Sequence, residues 1–152
     1  IEIENINSGW IDITIKNGYY YFENEYSFLT DFFGDLLESI YMVMSKIKKY
    51  VIFDVEFEPG IDYWFIKYDS EKIYLKIFTN ASGKITEEGN IDGDCDFIYS
   101  FNLFPIDVID IIDKNLDNYG SFFINGGLTI GNRSMDDLKE LIKKIKIIIE
   151  TR

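Results

Sequence analysis

Apolar and polar positions alternate from Trp10 to Tyr26, with Ile11, Ile13, Ile15, Tyr20 and Phe22 in one phase, the period of strands with one buried face. Asn17-Gly18 is a type I′ turn pair, so the stretch predicts a β-hairpin in which Lys16 faces Tyr19 and Ile15 faces Tyr20. The opposite face then carries Trp10, Asp12, Thr14, Tyr19, Tyr21, Glu23 and Glu25, with Asp12 directly across from Glu23. Such a like-charge pair costs stability and calls for a neutralising group from outside the hairpin.

The period then changes. Phe33, Leu36, Leu37, Ile40, Met44 and Ile47 recur at steps of three and four, which predicts an amphipathic helix over Asp31–Lys49. Thr30 is the expected cap, Asp31 and Asp35 favour the positive end, and Lys46, Lys48 and Lys49 the negative end. Gly34, costly inside a helix, predicts a close crossing over a sheet. Four strands follow: Tyr50–Glu58, Ile61–Tyr68 after a Pro59-Gly60 turn, Lys72–Thr79 after Asp69-Ser70-Glu71, and Cys95–Phe104 beyond a polar, Gly-containing loop at Asn80–Asp94 that reads as the least ordered internal stretch. Pro105 opens a helix with Val108, Ile109, Ile112, Leu116 and Tyr119 on its apolar face, ended by Gly120. Phe122-Phe123-Ile124 in the Gly-rich connection is expected to pack. Ser134 with Asp137 resembles a capping box for a last helix carrying Leu138, Leu141, Ile142, Ile145 and Ile149 inward. The order ββαββββαα describes a single α+β domain over residues 1–152: one six-stranded, mostly antiparallel sheet, with helices covering one face and the other partly open.

A chain of 152 residues is long enough for one full core, and 47% hydrophobic with 17% aromatic content argues against disorder. Twenty-seven acidic against 15 basic residues give a net charge of −12, which disfavours nucleic acid and anionic membranes as partners. No apolar run reaches the length of a membrane helix, and Ile1-Glu2-Ile3-Glu4 has neither the basic region nor the apolar core of a signal peptide, so the expected location is cytoplasmic. With no histidine and one cysteine, Cys95, catalytic triads, His-ligated metals and CxxC redox chemistry all drop out.

Candidate chemistry is confined to carboxylates and aromatics. Asp92-Gly93-Asp94-Cys95-Asp96 has alternate carboxylates, but Phe97 and Leu103 stand where a calcium loop wants glycine and a carboxylate, so no metal is expected. Aspartates flanking Cys95 oppose its thiolate. Gly126-Gly127 and Gly131 form no phosphate-loop motif, and no cofactor is expected. Lys139, Lys143, Lys144 and Lys146 read as a solvated helix face, and Asp107, Asp110, Asp113 and Asp117 as a solubilising one. The remaining cluster, Asp54, Glu56, Glu58 and Asp62 with Tyr63 and Trp64, reads as a rigid anionic surface with aromatic anchors on the solvent face of one hairpin.

Trp10-Ile11-Asp12 running to Asn17-Gly18, Gly34-Asp35-Leu36-Leu37, and Phe57-Glu58-Pro59-Gly60 with Tyr63-Trp64 together resemble a group of small, acidic, uncharacterised bacterial single-domain proteins, nearly over the full length. The resemblance brings no activity and no catalytic residue with it. By size, acidity and lack of motifs the chain is also similar, in class, to immunity proteins of bacterial toxin systems. The expectation is a non-enzymatic inhibitor that binds a basic protein domain through Asp54, Glu56, Glu58, Asp62, Tyr63 and Trp64. The alternative is a small-ligand or carbohydrate-binding module, or a hydrolase, using an open acidic and aromatic sheet face.

Overall fold

A computed structural model describes residues 1–7, 10–27, 30–120 and 133–152. In chain order these form β1 (Glu2–Asn7), β2 (Trp10–Asn17), β3 (Tyr20–Ser27), α1 (Phe32–Met44), β4 (Tyr50–Phe57), β5 (Gly60–Asp69), β6 (Lys72–Thr79), β7 (Lys84–Ile85), β8 (Ile91–Asp92), β9 (Phe97–Leu103), α2 (Pro105–Tyr119) and α3 (Met135–Glu150). The α+β class and antiparallel pairing agree with the reading above, but the expected six-stranded sheet does not form. The strands make a three-stranded sheet β1-β2-β3, a four-stranded sheet β4-β5-β6-β9 and a two-stranded ribbon β7-β8. Aromatic faces explain the division. Phe22 and Tyr26 of β3 meet Trp64 of β5 at ring distances of 6.2 and 6.1 Å, and Phe22 meets Tyr99 of β9 at 5.0 Å. Both sheets have an apolar face to bury, and laying one on the other removes more of it from water than joining them edge to edge.

β1 was not foreseen. It pairs with β2, but a register irregularity between Ile3 and Ile6 interrupts its alternation. The hairpin register is also displaced: Asn17 faces Tyr20, Ile15 faces Phe22, and the turn is Gly18-Tyr19, with Gly18 at φ +61° in the first loop position, where a type II′ turn wants glycine. Each residue's partner moves by two, so the parity of the faces survives, and Ile11, Ile13, Ile15, Phe22 and Tyr26 are all buried, but Tyr20, expected on the buried face, is 62% exposed and Thr14, expected on the outer one, is buried.

α1 is shorter than its apolar pattern. The helix ends at Met44, Lys46 takes φ +59°, and Ile47 is 61% exposed instead of in the core. Its cap is Asp31, whose carboxylate accepts the Gly34 amide (3.1 Å); Thr30 instead accepts the Glu56 amide of β4 (3.2 Å). Asp31 also accepts hydrogen bonds from the Tyr119 hydroxyl at the end of α2 and from Arg133 before α3 (3.0 Å), and Arg133 reaches on to Asp35 (2.9 Å) and Glu38. One carboxylate thereby ties three helices together. Gly34 owes its conservation of space to this knot rather than to the sheet: a Cβ there would lie 2.1 Å from Asp31 Oδ2 and 2.7 Å from Arg133 Cδ. Burial pushes the Asp35 carboxyl up, only partly offset by Arg133, while burial and Asp31 hold the Tyr119 hydroxyl well above its usual range.

α2 and α3 follow the sequence reading. Val108, Ile109, Ile112, Leu116 and Tyr119 are buried, as are Leu138, Ile142 and Ile145, and Ser134 and Asp137 form a reciprocal capping box. Phe122-Phe123-Ile124 and the glycines from 126 to 131 lie outside the described residues. The loop from Asn80 to Asp94 is not a loose polar stretch. Its β7-β8 ribbon places Ile85 against Phe65 and Phe78, and Ala81, Ile91 and Cys95 join them, making a second, smaller core on the sheet face that the sequence reading left open. Lys76 Nζ donates to the Gly89 carbonyl at 2.6 Å and fastens the loop to β6.

Candidate functional site

The β4-β5 turn decides which carboxylates share a surface. Phe57 faces Gly60, so Asp54 faces Tyr63, Val55 faces Asp62, and Phe53 faces Trp64. Directly paired residues share a face, which leaves Asp54, Glu56 and Tyr63 on one side and Asp62 and Trp64 on the other. Asp54 and Glu58 are exposed and Glu56 and Tyr63 half-buried, whereas Asp62 and Trp64 are both 0% exposed. The predicted six-residue surface is thus divided: two of its members belong to the interface between the sheets. Any two-residue turn at this point pairs even-numbered with odd-numbered positions, so the parity of residue 62 was the available signal.

Asp62 is the centre of a buried polar network. Its Oδ2 accepts from the Tyr26 hydroxyl (2.7 Å) and from Asn24 Nδ2 (2.8 Å), and the Tyr26 oxygen accepts from Trp64 Nε1 (2.8 Å). Burial and the adjacent carboxylate push the Tyr26 hydroxyl well above the usual tyrosine range. Asp62 Oδ1 is buried and accepts no hydrogen bond. Asn24 and Tyr26 come from β3, so the network joins the two sheets. Asp62, Tyr26 and Trp64 are buried, and Asn24 at the edge of the network is partly exposed.

The other acidic groups separate in the same way. Asp110 and Asp113 of α2 hold Lys146 of α3 at 3.4 and 2.7 Å, so part of the helical aspartate row is neutralised internally. Asp92, Asp94 and Asp96 are exposed, and Asp96 accepts from Asn80 (2.8 Å); among the described residues no cluster of three or more acidic or sulfur ligands is arranged for a metal. Burial raises the Cys95 thiol, with Asp96 and Asp62 adding to the effect, and its sulfur lies 3.0 Å from the Phe97 carbonyl. The cleft beside Tyr63, about 400 Å³, is lined by Ile52, Ala81, Gly83, Lys84 and Ile85 and by no carboxylate.

No family model matches this sequence, and no curated protein or solved structure is significantly similar to it.

A further group of carboxylates lies on one face of β1-β2-β3. Register places Glu2, Thr14 and Glu23 in one row and Asp12 directly opposite Glu25 in the next. The like-charge pair expected from the sequence is therefore present with Glu25 in place of Glu23, and desolvation together with Asp12 raises the Glu25 carboxyl. Glu23 accepts from the Tyr21 hydroxyl (2.6 Å), and Lys16 bridges to Glu2 (3.5 Å) while its Nζ lies 5.6 Å from the centre of the Tyr21 ring. Tyr19, Tyr20 and Tyr21 are all exposed at this end of the hairpin. Carboxylates held on paired strands beside exposed tyrosines are a pre-ordered surface for cationic side chains.

Proposed function

We propose that the protein is a non-enzymatic binding protein, an immunity-type inhibitor that acts in the cytoplasm by covering the cationic surface of a basic toxin domain. The observation that carries this reading is the group of exposed carboxylates Glu2, Glu23 and Glu25 on one face of β1-β2-β3. Exposed carboxylates held close together on paired strands interact favourably with a lysine or arginine that a partner places among them. Tyr21, which donates to Glu23, and Tyr19 in the turn supply the aromatic contact area on which interfaces concentrate their energy. A net charge of −12 steers association with such a partner, and the clefts of nucleases, which hold phosphates, are of the matching sign. Asp54, Glu56, Glu58 and Tyr63 remain a second anionic surface, without the anchor that Trp64 was expected to provide.

The experiment is capture from the native host with the pure protein as bait, followed by association kinetics on the recovered partner. A basic domain is expected. Glu23→Lys with Glu25→Lys should slow association and flatten its salt dependence, and Asp54→Lys with Glu56→Lys should change both less. If the second pair abolishes binding and the first does not, the surface is the hairpin of β4 and β5; if the recovered partner is acidic, the electrostatic reading fails.

A further inference from the structure

Lys46, Lys48, Lys49 and Lys67 line one cleft of about 340 Å³, together with Val43, Tyr68 and a single carboxylate, Glu87. In a chain with almost two acidic residues for each basic one, four lysines lining one cleft with one carboxylate are a reversal of the general charge, although Lys67 also acts electrostatically on Glu88 next to it. Among the described residues none of the four makes an ion pair or a side-chain hydrogen bond.

The ordinary explanation for lysines after a helix is that they satisfy its last carbonyls. Here those carbonyls are already used. Tyr41 accepts from the Ser45 amide (2.9 Å), Met42 from the amides of Ile47 (3.0 Å) and Lys48 (3.2 Å), Val43 from the amide of Lys46 (3.2 Å), and Met44 from the Arg152 guanidinium. The lysines also lie beyond the last turn of α1, where the helix dipole has faded. The chain reverses at Lys46, whose φ of +59° is that of the residue after the cap in a Schellman helix ending, and the turn leads Lys48 and Lys49 along the cleft. Lys67 arrives separately, from β5. Lys48 and Lys49 also line the neighbouring cleft with Tyr50, Val51 and Ile52, so the basic groove continues along the start of β4.

We propose that this cleft is a binding site for a linear di- or triphosphate, the anion class that several lysines recognise as point charges. Its volume falls at the small end of small-ligand sites, of roughly 300–1,000 Å³. The phosphates would belong either to inorganic polyphosphate or to the chain of a nucleotide. The inference is independent of the binding role assigned to the acidic sheet.

The test is calorimetric titration of the intact protein with sodium tripolyphosphate and, separately, with ATP, both without magnesium and at matched ionic strength. Saturable one-to-one binding is expected, weakening as sodium chloride is added. Lys48→Gln with Lys49→Gln should weaken it about tenfold or more, since each lost bond to a charged group is worth enough for such a change. Lys139→Gln with Lys143→Gln on α3 should leave it within about twofold, as expected for exposed charges remote from a ligand. Both double variants alter exposed side chains and should fold as the parent does. Tighter ATP than tripolyphosphate binding assigns the nucleotide, and equal or weaker binding the inorganic chain. No saturable binding of either probe, or an equal loss in the two double variants, overturns the site.

Discussion

Tyr26→Phe tests whether the two sheets are joined by chemistry as well as by apolar contact. The substitution removes one oxygen from a side chain that is 0% exposed and leaves its ring against Phe32 (5.2 Å) and Trp64 (6.1 Å). Two bonds go with that oxygen. The bond to Asp62 has a charged acceptor and is worth about 1.5–3 kcal/mol net; the Trp64 N–H loses its acceptor in a buried setting, at about 1–3 kcal/mol. Some of that loss is recovered by relaxation, so the expected destabilisation is about 3 kcal/mol, read from urea unfolding followed by both circular dichroism and tryptophan fluorescence with an unchanged slope. In melting temperature this is roughly 6–12 °C for a chain of this size. Tyr19→Phe, which removes an exposed hydroxyl, should stay within about 0.5 kcal/mol. In an Asp62→Asn background the cost of Tyr26→Phe should fall, because the charged acceptor has gone. A cost below about 1 kcal/mol, or one unchanged by Asp62→Asn, would refute the network as a stabilising element.

Three further outcomes are expected. Gly34→Ala should destabilise by about 1–3 kcal/mol through overpacking against Asp31 and Arg133, although alanine is favoured over glycine in helices by about 1 kcal/mol; chemical denaturation shows which sign wins. Ser70→Asn with Glu71→Gly should stabilise by about 1–2 kcal/mol, because both turn residues hold positive φ (51° and 69°) that asparagine and glycine adopt more cheaply, and the urea midpoint should rise. Glu25 has a raised folded-state pKa, so the stability linked to its protonation is complete below the unfolded value of about 4.3 and is lost as pH rises through the folded one. Melting curves of Glu25→Gln and the parent should accordingly coincide at acid pH and separate above that value, with the variant the more stable.

How far the fold could be read varied with the range of the interaction that set it. α2 and α3 came through because Pro105, Gly120 and the Ser134–Asp137 box are local signals. The first hairpin kept its buried face despite a misplaced turn, since a displacement of two preserves parity. What failed was decided by distant partners, except at the end of α1, where a local turn won over the apolar pattern. Ile47 continues the apolar rhythm of α1, but Ile47 and Lys48 bond back to Met42 and end the helix. Thr30 looked like the cap until Tyr119 and Arg133, from the far end of the chain, converged on Asp31. Asp62 reads as a surface charge because the donors that make its burial tolerable, Asn24 and Tyr26, lie in another sheet. The acidic residues of the first hairpin were placed on one face apart from their register but were not read as a binding surface, and the basic cleft was missed because Lys67 is brought to Lys46, Lys48 and Lys49 only by the fold.

The smaller core around Phe65, Phe78 and Ile85 gives the four-stranded sheet two faces that need not lose their cover together. Its lid is held by few apolar contacts, by the two-residue ladder of β7 and β8 and by the Lys76–Gly89 bond, while the opposite face is closed by the whole main core. Such an arrangement is expected to let the 80–95 segment open as a cooperative unit of its own. Amides in the 80–95 segment should exchange with solvent by a sub-global opening at a free energy well short of complete unfolding, with β5 and β6 still protected beneath it. In that open state Phe65 and Phe78, both 0% exposed in the closed one, become accessible apolar surface on an otherwise folded protein.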